Sequence, residues 1–182
     1  MFQYDGNTIE TERLRLRRFK QTDADRVAEI CNDYAVYKGT LALPHPYTKE
    51  CAEEWIARHD ENFEKEYYLD YAITDKNSGT LYGCIGMGLN AKDKNAELGY
   101  WMDKKYWVNV YATEAAEAMI QFAFEIKKYH RVHARHFASN PASGRVMQKC
   151  HMTYEGTMKE HIFKIDKYED VVHYGRINPK EA

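Results

Sequence analysis

The run from Ala96 to Met152, a little under a third of the chain, constrains the fold more than any other stretch. Ala96 to Trp101 alternates enough, and is aromatic enough, to predict a strand. From Ala112 the apolar positions Ala112, Ala116, Met119, Ala123 and Ile126 recur at helical spacing, so one face of a helix is expected to be buried. Arg131 to Ala138 returns to period two, with Val132, Ala134 and His136 sharing a face. Asn140-Pro141-Ala142-Ser143 then opens a short helix, with proline in the first turn where its missing N–H costs nothing. A strand that runs through a loop into a helix leaves backbone N–H groups free at the helix start. That arrangement suits an anion.

Composition narrows the class. A chain of 182 residues with 44% hydrophobic and 30% charged residues can bury a core, and it reads as one domain over residues 1–182. A net charge of −2 leaves no electrostatic footprint for nucleic acid. Arg13, Arg15, Arg17 and Arg18 read as a solvated strand face. No apolar run reaches the roughly 18 residues of a membrane span, and no charged-then-apolar leader opens the chain. Cys31, Cys51, Cys84 and Cys150 are widely spaced without a Cys-x-x-Cys pair, which favours reduced thiols in a cytoplasmic protein over disulfides or zinc. His133 and His136 lie three apart on a strand and so point to opposite faces; no metal site is expected. The aromatic share of 14% suits a ligand-lined cleft, a core or a homodimer interface equally.

Around the central run, Thr8 to Phe19 predicts a first strand, and Thr22 or Asp23 caps a helix that buries Ala24, Val27 and Ala28 with Cys31 or Ile30. Tyr34 to Pro46 reads as irregular, and Thr48 caps a longer helix to about Lys65 with Ala52, Trp55, Ile56 and His59 on one stripe. Tyr67–Thr74 and Thr80–Leu89 are partner strands across Asp75–Gly79. Gly83, Gly86 and Gly88 are followed by no helix, so they predict bulging or close packing in a bent sheet rather than a nucleotide loop. Tyr154–Ile165 and Tyr168–Ile177 predict a closing hairpin.

The chain resembles the GNAT acyltransferases, and within them the RimJ/RimL-like branch. The matching residues are Ala96-Glu97-Leu98-Gly99-Tyr100-Trp101, Tyr106-Trp107, Tyr111-Ala112-Thr113-Glu114-Ala115, Ala138-Ser139-Asn140-Pro141-Ala142-Ser143 and Lys149. Thr11-Glu12-Arg13-Leu14, Pro46-Tyr47-Thr48 and Tyr154-Glu155-Gly156 extend the match to nearly the whole chain. The resemblance implies an α/β fold, the GNAT acyl-CoA N-acyltransferase fold, with a mixed central sheet of about seven strands and helices on both faces. It implies transfer of the acetyl group of acetyl-CoA to a primary amine, either a protein N-terminus or a small molecule, by direct attack in a ternary complex. No metal, nucleic acid or membrane takes part in that chemistry.

The resemblance also implies a site. Acetyl-CoA would be held by Trp101, Met102, Val108, Asn109, Val110, Tyr111, Ala112, Thr113, Asn140, Ser143 and Lys149. Glu97 would serve as base, or stand as a structural or substrate-orienting carboxylate on the sheet. Ser143 would hydrogen-bond the CoA sulfur, or act only as a helix N-terminal hydroxyl. Lys149 would reach the CoA phosphates or remain solvated. Glu114, in the first helical turn, reads as a capping charge. Three departures stand out. The family's Trp-Gly-Lys-Gly-Tyr-Ala loop is Trp107-Val108-Asn109-Val110-Tyr111-Ala112 here, and both missing glycines would ordinarily bring phosphate close to bare backbone. Met147 stands where many members place a tyrosine acid, and Cys150-His151 replaces a Leu-Gly helix end, which predicts local distortion there. The altered loop makes a second reading available: a degenerate domain with weakened or lost acetyl-CoA binding that serves as a binding or regulatory module.

Overall fold

The computed structural model describes residues 2–180. Nine strands form one sheet: β1 (Gln3–Tyr4), β2 (Ile9–Glu10), β3 (Leu14–Arg18), β4 (Tyr68–Asp75), β5 (Leu81–Asn90), β6 (Asn95–Met102), β7 (Arg131–Phe137), β8 (Thr153–Lys164) and β9 (Lys167–Ile177). Their spatial order is β1-β2-β3-β4-β5-β6-β7-β9-β8. Among the described strands only β6 and β7 pair in parallel, joined by the crossover that carries α5. The helices are α1 (Ala24–Cys31), α2 (Tyr34–Gly39), α3 (Lys49–Ala57), α4 (His59–Glu64), α5 (Tyr111–Gln121) and α6 (Pro141–Lys149).

Strand alternation divides the core in two. Leu16, Ile73, Ile85 and Leu98 face α5 and α6, where Ala116, Met119, Phe122 and Met147 pack against them. Ala72, Cys84 and Trp101 face the other way, against Val27 and Ile30 of α1 and Ala52 and Ile56 of α3. The sheet is therefore covered on both faces, as expected of a mixed sheet.

Several expectations are corrected. The single strand over Thr8–Phe19 is broken at Thr11, whose hydroxyl accepts from Leu14 N at 2.9 Å and closes a turn. With β1, that break gives nine strands rather than about seven. The stretch after Tyr34 is not irregular at its start: Asp33 accepts from Ala35 N at 2.7 Å and caps α2. The helix after Thr48 is divided at Arg58, whose N–H turns to Trp55 O at 3.3 Å, and the break directs His59 into the core. Ile126 is 44% exposed instead of buried. Phe122–Ile126 is π-helical, with Lys127 N donating to Phe122 O at 3.1 Å, and the wider turn brings Phe124 inward in its place. The end of α6 is not distorted. His151 takes φ 57°, His151 N donates to Gln148 O at 3.0 Å and Met152 N to Met147 O at 3.1 Å, which is a regular Schellman termination. The arginines of the first strand are not merely solvated: Arg13, Arg15, Arg17 and Arg18 pair with Glu114, Glu10, Asp23 and Asp60.

Candidate active site

The parallel pairing of β6 and β7 runs from Asn95↔Arg131 to Leu98↔Ala134 and stops there. Yet β6 continues against β5 as far as Met102, and β7 continues against β9 as far as Phe137. The two strands therefore diverge in a V whose apex lies at Gly99, and the β7 side of Gly99–Met102 has no strand partner. A cleft of about 360 Å³ opens in the V. Tyr100, Trp101 and Met102 form one wall, Ser139, Asn140 and Ser143 another, and α2 lies across it.

Tyr100 and Ser143 meet inside the cleft. The Tyr100 hydroxyl donates to Ser143 O at 3.0 Å and lies 2.8 Å from Ser143 Oγ. Burial pushes the Tyr100 phenol above its ordinary range, so it remains neutral. With the phenol proton directed at the carbonyl, the serine hydroxyl has its own proton to give. Tyr100 is missed by sequence reasoning because an aromatic residue on an alternating strand reads as core. Met147 is buried among core residues and takes no part.

Asn140 caps α6. Its Oδ1 accepts from Ser143 N at 3.4 Å, while its Nδ2 donates to Gly39 O at 3.1 Å. One amide thus ties the helix that carries Ser143 to the end of α2, fixing the width of the cleft.

The loop from Met102 to α5 is a 3-10 turn over Lys104–Asn109. Asp103 starts it by accepting from Lys105 N at 2.9 Å, and an ion pair with Arg26 secures Asp103 to α1. Trp107 Nε1 donates to Met102 O at 2.9 Å. Val110 then takes φ 64° and ψ 8°, the left-handed conformation, immediately before helical Tyr111. A left-handed residue followed by a right-handed one turns successive N–H groups inward as an anion nest. The first-turn N–H groups of Tyr111, Ala112 and Thr113 add to it, since no intrahelical carbonyl is available to them. The bend that glycine usually supplies is present with valine in its place. Val108 is 88% exposed, so its side chain stands in solvent rather than against the loop.

Glu114 does more than cap. Its carboxylate accepts from Thr11 Oγ1 at 2.6 Å and Arg13 Nε at 2.7 Å, fastening α5 to the β2–β3 turn and holding its own pKa below the usual range despite burial. Cys150 donates to Thr113 O at 3.6 Å, and burial pushes its thiol up to about 12, so it is an inert core thiol.

The remaining site residues lie apart. Glu97 does not line the cleft. It sits below the apex on the face opposite Ser143, where it accepts from Arg135 Nε at 2.6 Å. Lys149 is exposed in the last turn of α6, away from the cleft walls. The structure thus brings Trp101, Met102, Ala112, Asn140 and Ser143 to one cleft, while Val108, Asn109, Val110, Tyr111 and Thr113 lie outside its lining, on the chain after Trp107.

An acetyltransferase (GNAT) domain matches residues 13–153. The uncharacterized N-acetyltransferase YoaA of Bacillus subtilis is 27% identical over 95% of this chain and 98% of its own. The crystal structure of a GNAT-family acetyltransferase from Bacillus anthracis superposes with a TM-score of 0.83 at 27% identity, covering 94% of this chain and 98% of that one. RimL, a ribosomal L7/L12 alpha-N-protein acetyltransferase solved with coenzyme A, superposes with a TM-score of 0.84 at 20% identity, over 92% of this chain and 95% of that one. With the splayed strands and the nest ahead of α5, these likenesses mean that the chain belongs to the GNAT family of acetyltransferases.

Proposed function

We propose that this enzyme transfers the acetyl group of acetyl-CoA to a primary amine by direct attack in a ternary complex. The observation that carries the reading is the V itself. It leaves a strand's worth of unpaired β6 backbone to receive an extended pantetheine arm, with Ser143 at the end where the sulfur would lie. The nest formed by Val110 and the start of α5 takes the pyrophosphate through backbone N–H groups. Attack needs a neutral amine, a donor for the developing oxyanion and a proton for the departing thiolate. The N–H groups of β6 beyond Leu98 serve the oxyanion. Ser143, held by Tyr100, gives the thiolate its proton. Glu97, paired with Arg135, orients the acceptor on the opposite face. Acetyl-CoA is bound without a metal.

Retention of the left-handed bend at Val110 favours this reading over a non-catalytic module. Calorimetric titration with acetyl-CoA tests it: micromolar binding is expected, and no heat at millimolar ligand would sink the proposal. RimL is a protein acetyltransferase that binds coenzyme A, and a protein N-terminus is accordingly the first acceptor to try.

A further inference from the structure

Three glycines on the face of the sheet opposite Ser143 have no part in the cleft. Gly86 and Gly88 on β5 and Gly99 on β6 lie beneath the ring of Tyr68. A Cβ on Gly88 would stand 3.0 Å from Tyr68 Cε2, and one on Gly99 3.4 Å from the Tyr68 hydroxyl. A Cβ on Gly86 would collide with Asp70 Oδ1 and stand 2.7 Å from Tyr68 Cε1. The glycines therefore form a trough. The ring lies in it with its hydroxyl over the apex of the V and one edge beside the Asp70 carboxyl. Tyr68 as a residue remains 38% exposed, so the outer side of the trough borders solvent.

Asp70 is an odd residue for that place. It is 7% exposed and has no lysine or arginine partner among the described residues. Its carboxyl meets a thiol, Cys84 Sγ donating at 3.5 Å, and the imidazole of His59, whose Nε2 is 3.6 Å away. Both nitrogens of His59 are buried without a hydrogen-bond partner. Trp55 packs edge-on to His59 at 4.4 Å, and Trp101, a wall of the cleft, lies 6.1 Å from Trp55. The pair is thus separated from the cleft by one layer of aromatic rings.

A buried carboxyl and a buried imidazole without full partners cost stability that an apolar pair would not. Such groups are retained where chemistry needs them. Burial holds the Asp70 carboxyl up at about 7 and the His59 imidazole down at about 4. The titratable and charged groups that face them are Tyr68 from β4, Cys84 from β5, and Arg58 and Asp60 beside His59; Cys31 from α1 lies against Cys84, and Glu97 and Arg135 from β6 and β7 act on Tyr68.

We propose that Asp70, with His59 behind it, is the proton acceptor for the incoming amine, reached from the apex of the V along the Tyr68 hydroxyl. The proposal rests on the acetyl-transfer reading. The ammonium gives one proton to the Asp70 carboxylate through one water, and the freed amine attacks the thioester carbonyl. The C–N bond forms, the C–S bond breaks, Ser143 gives its proton to the thiolate, and the second amine proton restores the serine hydroxyl. Asp70 then returns its proton to solvent. Because Asp70 lies behind Tyr68, it takes that proton through the water and does not itself touch the thioester. Glu97, already engaged by Arg135, is left to orient the acceptor.

The test is the pH dependence of kcat for the wild type, Asp70→Asn and Glu97→Gln, using acetyl-CoA with a serine-initiated hexapeptide and with spermidine, together with the Kd for acetyl-CoA. Asp70→Asn should lower kcat roughly 10²-fold and abolish the acid limb near neutrality, with the Kd unchanged. Glu97→Gln should keep that limb and raise the KM for the amine. An Asp70→Asn enzyme with the wild-type limb and height would overturn the proposal while leaving acetyl transfer intact. Loss of the limb in Glu97→Gln alone would also overturn it, and return the base to Glu97. No turnover by wild-type enzyme that binds acetyl-CoA would overturn the transfer reading, and Asp70's role with it. Tyr68→Phe removes only the hydroxyl and gives a second reading: reduced kcat is expected, and an unchanged rate would rule out this route.

Discussion

The two faces of the sheet at the apex of the V are built on opposite principles. On the α5–α6 side the chemistry is carried by backbone: unpaired β6 amides, a left-handed bend at Val110, and two helix starts, one of them capped by Asn140. Few side chains matter there: Ser143, the Tyr100 that holds it, and Asn140. On the α1–α3 side the chemistry is carried by side chains that look out of place, with Asp70, His59 and Tyr68 set among glycines. Backbone sites tolerate substitution as long as φ and ψ are kept. Side-chain sites do not, and they carry a desolvation cost that can be measured. The comparison therefore predicts where the molecule sacrifices stability.

The largest effect should be at Asp70. Its carboxyl is protonated in the folded state up to about 7, against 3.8 for the ordinary group. Below the lower value both states hold the proton and nothing is lost. Between the two values the unfolded chain releases its proton while the folded chain keeps it, so stability falls as pH rises and levels off above the upper value. Asp70→Asn should therefore be more stable than wild type at pH 8 by on the order of 4 kcal/mol, with the gain vanishing below the ordinary carboxylate range. His59 acts with the opposite sign. Its imidazole is neutral in the fold down to about 4, so stability falls as pH drops from 6.5. The two slopes oppose each other in the wild type over that window. In Asp70→Asn only the histidine slope remains. Urea midpoints at acid, mildly acid and alkaline pH measure both; a variant with no gain at pH 8 would show that the carboxyl is comfortably solvated.

Asn140 is the intermediate case, a side chain acting in the service of backbone. Asn140→Ala removes the cap of α6 and the bond to Gly39 O, and should weaken acetyl-CoA binding by about 1–3 kcal/mol. A fall in stability of about 0.5–2 kcal/mol should accompany it. Unchanged affinity by calorimetry would confine the amide to capping.

The contrast also explains what the sequence discloses. The run from Ala96 to Met152 is legible because strand period, helix period and an Asn-Pro cap follow one another without ambiguity, and each is a local property. α2 is not legible: it has six residues, too few for a period, and only Asp33 marks its start. The π-helical turn after Gln121 adds a residue per turn without any compositional sign. The backbone half of the site follows from the family loop. In the other half, His59 falls on the apolar stripe of its helix, and Asp70 is one acidic residue within an apolar strand. The glycines at 86 and 88 are readable as close packing, but not what packs on them. That requires the cross-strand register that sets Asp70 opposite Gly86.

The smallest effects should come from the valines of the loop, and here the structure reverses a sign. By propensity, glycine at Val108 and at Val110 should each lower stability, since glycine has more backbone freedom to lose near a helix start. For Val108 that holds: the residue sits in a 3-10 turn with its side chain in solvent, and Val108→Gly should cost about 0.5–1 kcal/mol with no change in acetyl-CoA affinity. For Val110 it does not. A β-branched residue at φ 64° is held in a conformation that costs an L side chain roughly 1–2 kcal/mol and costs glycine almost nothing. Val110→Gly should therefore raise stability by about 1 kcal/mol, and by relaxing the bend without removing it should leave acetyl-CoA affinity equal or slightly higher. The double variant should lie near wild type. Gly86→Ala on the other face is the control: there an added methyl meets Asp70 Oδ1 rather than solvent, and activity should collapse although acetyl-CoA still binds. If Val110→Gly instead destabilises, the left-handed bend is not what shapes the loop, and the account of the cofactor face as a backbone site fails at its central residue.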